Sequence, residues 1–305
     1  MISEKKLSEI LAYTNEHGDQ ESCAHFGITP DSLERYKRLK NFNKTKQPKI
    51  LLLDIETAPI QGTFWRIGQK VSLSHENITK DWFIICWSAR WLFSDKTMGE
   101  CVTSQEAVDG DDERIMRILW TLMEQADILI GHNIAGFDLP KINTRLMLND
   151  IMPPSPSIVL DTLKASQAHS FSSNKLDYLG MLVTRKGKLK TDYELWKRCL
   201  RGEQDALDYM LKYCKEDSLL LEEVYLFLRP WMRNHPNLAL MGDVKELTCG
   251  VCMTPGMVEI GNYYTGVNKY SSYRCPNCGA LARGRKTLLD KKQSAVILNT
   301  TLRNL

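Results

Sequence analysis

The stretch that constrains this chain most is Lys49-Ile-Leu-Leu-Leu-Asp54-Ile-Glu56-Thr57. Residues 50–53 form a continuous apolar run bounded by Pro48, the pattern of a strand buried in a core. Side chains alternate along a strand, so Asp54 and Glu56 project from the same face. Two carboxylates side by side at the end of a core strand repel each other. Either a cation sits between them or one takes up a proton. A hard divalent ion suits the place, because Mg²⁺ is held through one or two carboxylates together with substrate phosphates. The plain alternative is a strand end that meets solvent, and this stretch alone leaves both readings open.

With 305 residues the chain is long enough for one large domain with appendages. Its charged fraction, 25%, and apolar fraction, 43%, are ordinary for a soluble globular protein. A net charge of +3 does not announce a nucleic-acid binder, so local clusters carry that question. The first residues, Met1-Ile-Ser-Glu-Lys-Lys6, have no apolar stretch behind them, which argues against a signal peptide. No apolar run approaches the roughly 18 residues of a membrane span. Five of the nine cysteines (Cys23, Cys86, Cys101, Cys199, Cys214) stand singly in the sequence. That is expected of reduced thiols in a cytoplasmic protein, bacterial or in a phage-infected host, rather than of a disulfide scaffold.

Residues 1–42 read as a small helical module. Leu7, Ile10, Leu11 and Thr14 share one helical face, Gly18 and Asp19 break it, and a short segment 20–26 follows. Thr29 then caps a helix with Pro30 in its first turn. That helix, 31–40, carries Arg35, Lys37, Arg38 and Lys40. The run from Cys23 to Tyr36 resembles the helix-turn-helix modules of DNA-binding proteins. A packing module with solvated charges is the other reading. Residues 43–48 are polar, basic and proline-containing, a linker.

Beyond the opening strand, 82–87 reads as a core strand and 88–93 as a second one. Trp65, Trp82, Trp87 and Trp91 are expected mainly in the core, with a stacking role secondary. Residues 113–125 have helical spacing. Residues 127–131 form a short strand leading through His132, Asn133, Gly136 and Phe137 to Asp138, where a helix begins and a carboxylate is favoured. Residues 158–161 end another strand in an acid, Asp161. The loop 185–190, with Arg185, Lys186, Lys188 and Lys190, is basic, either available to phosphates or plain solvated surface. Residues 205–228 form one long helix carrying Tyr213 and Asp217, four apart and so on one face.

Four acids thus lie on elements able to converge: Asp54, Glu56, Asp138 and Asp217. Alternating strands and helices suit an α/β domain with its site at strand ends. Converging carboxylates without metal are destabilising, whereas two divalent ions among them make a site for phosphodiester hydrolysis, with a tyrosine hydroxyl to orient water.

The motifs Asp54-Ile-Glu56, Asn133-x-x-x-Phe137-Asp138 and Tyr213-x-x-x-Asp217 resemble those of the tyrosine branch of the DEDD 3′→5′ exonucleases. The likeness is to the proofreading domains of family B DNA polymerases and to free-standing phage exonucleases. It covers residues 49–235 and implies a ribonuclease H-like fold. It further implies that Asp54, Glu56, Asp138 and Asp217 bind two Mg²⁺ or Mn²⁺ ions and that Tyr213 positions the attacking water. Asn133 and Phe137 are implied to seat the 3′-terminal nucleotide, and Thr57 to hydrogen-bond it. No role follows for Asp161 or Lys175, for which surface pairing is the better expectation. The chain is too short to hold a polymerase as well.

Cys249-Gly-Val-Cys252 and Cys275-Pro-Asn-Cys278 are two CxxC knuckles with 22 residues between their inner cysteines. Four thiolates at that spacing predict one structural Zn²⁺ in a zinc ribbon over residues 244–290. Between and behind the knuckles lie Tyr263, Tyr264, Lys269, Tyr270, Tyr273, Arg274, Arg283, Arg285 and Lys286. These can stack on bases and pair with phosphates, pack a small core, or dock on the nuclease domain. The tail, 291–305, has an apolar patch at 295–298, able to add a strand or bind a partner.

The expectation is therefore an α/β ribonuclease H-like domain with a helix-turn-helix-like module before it and a zinc ribbon after it. The expected activity is 3′→5′ hydrolysis of single-stranded DNA ends, in proofreading or DNA processing during phage replication. The rivals are the same chemistry on RNA and, from another class, a non-catalytic DNA-binding adaptor or a polymerase-associated subunit. The partners are DNA and a DNA polymerase or other replication protein, with no membrane.

Overall fold

The apolar run at 50–53 does become a core strand, and the rest of its domain is layered on it. The computed structural model of the protein describes residues 4–30, 32–33, 36–37, 47–64, 74–185 and 191–298. Trp65, Asp31, Arg35, Arg38, Lys40, linker residues 43–46, Lys186, Lys188, Lys190 and tail residues 299–305 lie outside the described residues. The chain divides into two compact units, Lys49–Leu228 and a second that brings Ile2–Pro48 together with Arg229–Leu305.

In chain order the elements are α1 (Glu4–His17), α2 (Asp19–Phe26), β1 (Ile50–Thr57), β2 (Gln61–Gly62), β3 (Ile78–Lys80), β4 (Ile84–Trp91), β5 (Met98–Cys101), α3 (Ser104–Asp109), α4 (Glu113–Met123), β6 (Ile128–Gly131), α5 (Asp138–Leu148), β7 (Ile158–Asp161), α6 (Thr162–Gln167), α7 (Leu176–Thr184), α8 (Tyr193–Leu200), α9 (Gln204–Leu228), β8 (Val258–Tyr264), β9 (Lys269–Arg274), β10 (Leu281–Arg283) and α10 (Lys291–Val296).

The first unit is built on a five-stranded mixed sheet in the order β5-β4-β1-β6-β7. β1 runs antiparallel to β4 and parallel to β6, and β6 is parallel to β7. This order and polarity are consistent with the ribonuclease H-like α/β fold expected from the sequence. Residues 84–91 form one strand, not the two expected from the sequence. β4 pairs with β1 from Leu51 opposite Trp91 to Thr57 opposite Ile84, and no turn residue interrupts it. Trp87 is fully buried and donates its indole N–H to the Ile115 carbonyl at 2.8 Å, whereas Trp82 and Trp91 are only half-buried.

α9 lies against the sheet face that carries Asp54 and Glu56. Its Cys214, Ser218 and Glu222 are spaced four apart and so form one stripe. On β4, Ser88 and Arg90 share one face. The Ser88 hydroxyl donates to the Cys214 carbonyl at 2.7 Å and lies 2.5 Å from the Ser218 hydroxyl. Arg90 Nη2 pairs with Glu222 at 2.8 Å with both side chains buried. Because Ser88 is directly opposite Asp54, this stripe fixes the height of α9 against the acidic strand end. Gly99 on β5 admits the helix: a Cβ there would meet Lys215 and the Trp87 carbonyl at 2.8 Å.

In the second unit, Leu7, Ile10, Leu11 and Thr14 of α1 are buried, as their spacing predicts. Gly27 ends α2 in the left-handed conformation, φ 62°. Thr29 accepts the Ser32 N–H at 3.1 Å, a cap for the helical turn that follows. β8, β9 and β10 form a three-stranded antiparallel sheet. The tail patch does not add a strand. Residues 291–296 are helical, started by Asp290 and Gln293 in a reciprocal cap.

Candidate active site

Asp54 and Glu56 stand on the same face at the end of β1, with Ile55 between them turned into the core. A carboxylate oxygen from each of Asp54, Glu56 and Asp217 lies within 4.8 Å of the others. Asp217 comes from the middle of α9 and is buried. Asp138 starts α5 and is also buried, but stands just outside that triad.

The electrostatics are those of carboxyl groups crowded together away from water. Burial pushes the Asp54 carboxyl well above the usual carboxylate range, and Cys214, Asp138, Glu56 and Asp217 push it further. Asp138 is raised to about 7, chiefly by burial. Backbone N–H groups of Asp138 itself and of Ile55 pull it back, and the negative charge of Asp161 adds to the rise. Such groups accept their charges at moderate pH only beside a cation. The donor set is all oxygen, which fits Mg²⁺ or Mn²⁺ rather than a softer metal.

Cys214 lies directly beneath Asp54, its thiol 3.5 Å from Asp54 Oδ2 and 3.3 Å from the Ser88 hydroxyl. Three of the cysteines that stand singly in sequence meet here. Cys86 is opposite Cys101 in the strand register, and burial first, then Cys101 and Cys214 beside it, push its thiol well above the usual range. Only the adjacency of Cys214 to Tyr213 signals this in the sequence.

Tyr213 is buried, one turn before Asp217 on the same helix. Asn133 sits in the loop from β6 to α5 with φ 71°, and its N–H donates to Asp161 Oδ1 at 3.0 Å. Asp161 also accepts from Ala135, Leu163 and Lys164, capping α6 while clamping the loop. The expectation of ordinary surface pairing for Asp161 is therefore wrong. Its partners are backbone donors from a loop and a helix start, which no short-range pattern reveals. Gly136 leaves room for the Asn133 amide, whose oxygen would be 2.7 Å from a Cβ there. Lys175, with His132 and Asn174, lines a separate cleft of about 500 Å³.

Thr57 and Phe137 line one slot of about 500 Å³ together with Ile60, Trp82, Lys141 and Trp196. The Lys141 ammonium lies 3.7 Å from the Trp82 ring centroid, a cation–π contact, and burial lowers its pKa. Lys141 and Trp196 are liners that sequence reasoning missed, whereas Trp82, expected mainly in the core with a stacking role secondary, is found in the slot. Lys141 is four residues past Phe137, the one spacing that could have pointed to it.

The four C-terminal cysteines form a second cluster, with all sulfurs within 4.8 Å. Cys249–Cys278 and Cys252–Cys275 sulfurs are 3.7 and 3.5 Å apart. A tetrahedral ion with ~2.3 Å Zn–S bonds needs about 3.8 Å, so the cluster fits zinc. The knuckles match each other: Cys249 N–H bonds Thr254 O and Cys275 N–H bonds Ala280 O, both at 2.9 Å. The residue after each second cysteine, Met253 or Gly279, is left-handed. N–H groups of Val251 and Cys278 point at the Cys249 and Cys275 sulfurs at 3.4 and 3.5 Å, as thiolate ligands require.

Among the described residues, no helix is long and apolar enough to cross a membrane. No curated protein matches the sequence. A solved structure that the chain is similar to is the family B DNA polymerase from the hyperthermophilic archaeon Pyrobaculum calidifontis, with 13% identity and a TM-score of 0.43. The match covers 60% of this chain and 25% of the polymerase, so the chain spans about a quarter of that protein's length. Residues 91–228 match the family model RNase_H_2 of the RNase H superfamily. That segment holds Asp138, Tyr213 and Asp217 but begins after β1 has ended.

Proposed function

We propose that the protein is a divalent-metal-dependent 3′→5′ exonuclease that acts on single-stranded DNA ends. The observation that carries this reading is the convergence of Asp54, Glu56 and Asp217, from a strand end and a helix distant in sequence. Asp138 lies near enough to raise the proton affinity of Asp54. Two Mg²⁺ or Mn²⁺ ions held by these four carboxylates would supply charge for both the attacking and the leaving oxygen of a phosphodiester displacement.

The chain's own groups do the rest. Tyr213 orients the attacking water through its hydroxyl. Thr57 hydrogen-bonds the terminal sugar, and Phe137 and Trp82 hold the last base in a slot whose volume suits one nucleotide. Asn133, held by Asp161, shapes the loop that seats this nucleotide. A duplex end must unpair before its last phosphodiester reaches a site of this size. DNA is preferred over RNA on the motif resemblance, which also makes proofreading of DNA synthesis the natural context. Cys249, Cys252, Cys275 and Cys278 hold one structural Zn²⁺.

The test is a digestion of 5′-labelled DNA and RNA oligonucleotides with Mg²⁺ or Mn²⁺, beside an Asp54→Ala/Glu56→Ala variant. A ladder that shortens from the 3′ end of DNA, and is absent with the variant, is expected. The same ladder on RNA alone moves the substrate to RNA. No cleavage of either, with DNA still bound, overturns the enzyme reading in favour of an adaptor.

A further inference from the structure

The tyrosines of the C-terminal module raise a question that the carboxylate site does not answer. A hairpin this rich in aromatic residues is expected to bury them. Here the buried cluster of the module is Cys249, Cys252, Cys275 and Ala280, with Val251, Met257 and Cys278 packed around it, and no tyrosine belongs to it. Every residue of β8 is exposed, Tyr263 at 49% and Tyr264 at 66%. Core packing therefore does not explain these residues.

Their arrangement is specific. Directly opposed residues share a face, and alternate residues along β9 share it too. Tyr263 is opposite Tyr270, Ser272 is opposite Arg283, and Arg274 is opposite Leu281. One face thus presents Tyr263, Tyr270, Arg274 and Arg283. The Arg283 guanidinium lies 4.4 Å from the Tyr270 ring centroid and 5.9 Å from that of Tyr263, spanning both rings. At the hairpin end Lys269 approaches the Tyr264 ring at 5.9 Å. Arg283 and Arg285 also line an adjoining cleft of about 290 Å³ with Tyr273. Residues 258–286 carry five cations against a single acid, Glu259. Glu259 is opposite Tyr273 and so on the other face.

We propose that this face of the β8–β10 sheet binds single-stranded nucleic acid, bases stacking on Tyr263 and on the Arg283–Tyr270 pair while Arg274, Arg285 and Lys286 take the phosphates. Exposed π-faces have no use for paired, stacked bases, so the occupant is a single strand rather than a duplex. The guanidinium adds a second planar surface already held over a ring. The charge complements a polyanion, and the acid is kept off the face. This binding is separate from whatever the carboxylates of the other unit do.

The experiment uses the full chain carrying Asp54→Ala/Glu56→Ala, so that no probe is consumed, and a fluorescein-labelled dT20 read by anisotropy. Tyr263→Ala and Arg283→Ala should each weaken binding about tenfold or more. Arg283→Ala should also lower the slope of log affinity against log salt by about 0.7. Arg283→Lys, which keeps charge but loses the plane, should fall between. Zinc content, measured on each variant, separates lost contact from a lost fold. As a check without substitutions in the ribbon, a 4-thiothymidine oligonucleotide should photo-cross-link within residues 258–286. Unchanged affinity in zinc-replete variants overturns the proposal. So do cross-links confined to residues 49–228, which would leave the face as a protein-docking surface.

Discussion

At the scale of single residues, the site is held together against its own charge. Asp138 illustrates the cost. Burial pushes its carboxyl up to about 7 in the folded chain, against about 3.9 unfolded. Between these values the folded state holds the extra proton. Stability from this group is complete below pH ~4 and is lost as pH rises through 7, on the order of 4 kcal/mol in all. Without added divalent ions, the melting temperature should fall from pH 5 to pH 8. An Asp138→Asn variant should show a flatter profile, and Mg²⁺ should restore the parent more at pH 8 than at pH 5. Superimposable profiles for parent and variant would show that Asp138 does not carry this effect. Tyr213 is tested by Tyr213→Phe, which removes only a hydroxyl. A loss of about 10²-fold in kcat with KM little changed is expected of a water-orienting group. An equal rise in KM would instead point to a substrate contact.

At the scale of elements, the placement of Tyr213 and Asp217 depends on how α9 is fixed to β4. The contacts fall at Cys214, Ser218 and Glu222, so the two functional residues each sit beside an anchored position. The last anchor is the most exacting. Arg90 is fully buried, gives Nη1 to Thr97 at 2.9 Å and Nη2 to Ser94 O at 2.6 Å, and needs Glu222 for its charge. Glu222 also accepts the N–H of Phe93, a residue with φ 65°. Glu222→Gln should cost about 3 kcal/mol or more, because it leaves a buried cation without its counter-charge. An Arg90→Met/Glu222→Leu double variant should recover most of that loss. Urea unfolding gives both numbers, and a double variant no better than the single one would mean that packing, not charge, governs the contact. The sequence shows 205–228 as a long amphipathic helix. It does not show which stripe faces the sheet, because Ser218 and Glu222 look like solvent positions until Ser88 and Arg90 are found opposite them.

At the scale of the whole molecule, the chain holds two units with separate buried clusters, one around β1 and β4 and one around the four cysteines. The second is too small to order the β8–β10 sheet by apolar burial, so the metal has to do it. One zinc per chain is expected by elemental analysis. Its removal with a chelator, or Cys252→Ser, should erase hydrogen-exchange protection over residues 249–283 while leaving that of 49–228 in place. Protection that survives complete zinc loss would show that the ribbon folds on side-chain packing alone.

What the sequence determined by itself was whatever is written in short range. The apolar run and its two acids on one face, the paired knuckles, the Thr29 cap and the α1 stripe depend on residues within a turn or a few strand positions of each other. The tertiary structure alone decided the joining of 84–91 into a single strand, the clamp that Asp161 places on the loop of Asn133, and the gathering of Cys86, Cys101 and Cys214 beneath Asp54. It alone also set Asp138 just outside the closest three acids. Each of these is a contact between segments tens of residues apart, where geometry comes from packing and burial rather than from local backbone preference. The charge states of the acids follow the same division: their identity is in the sequence, but burial, the largest cause of the raised Asp54 and Asp138 carboxyls, exists only once the chain has closed around them.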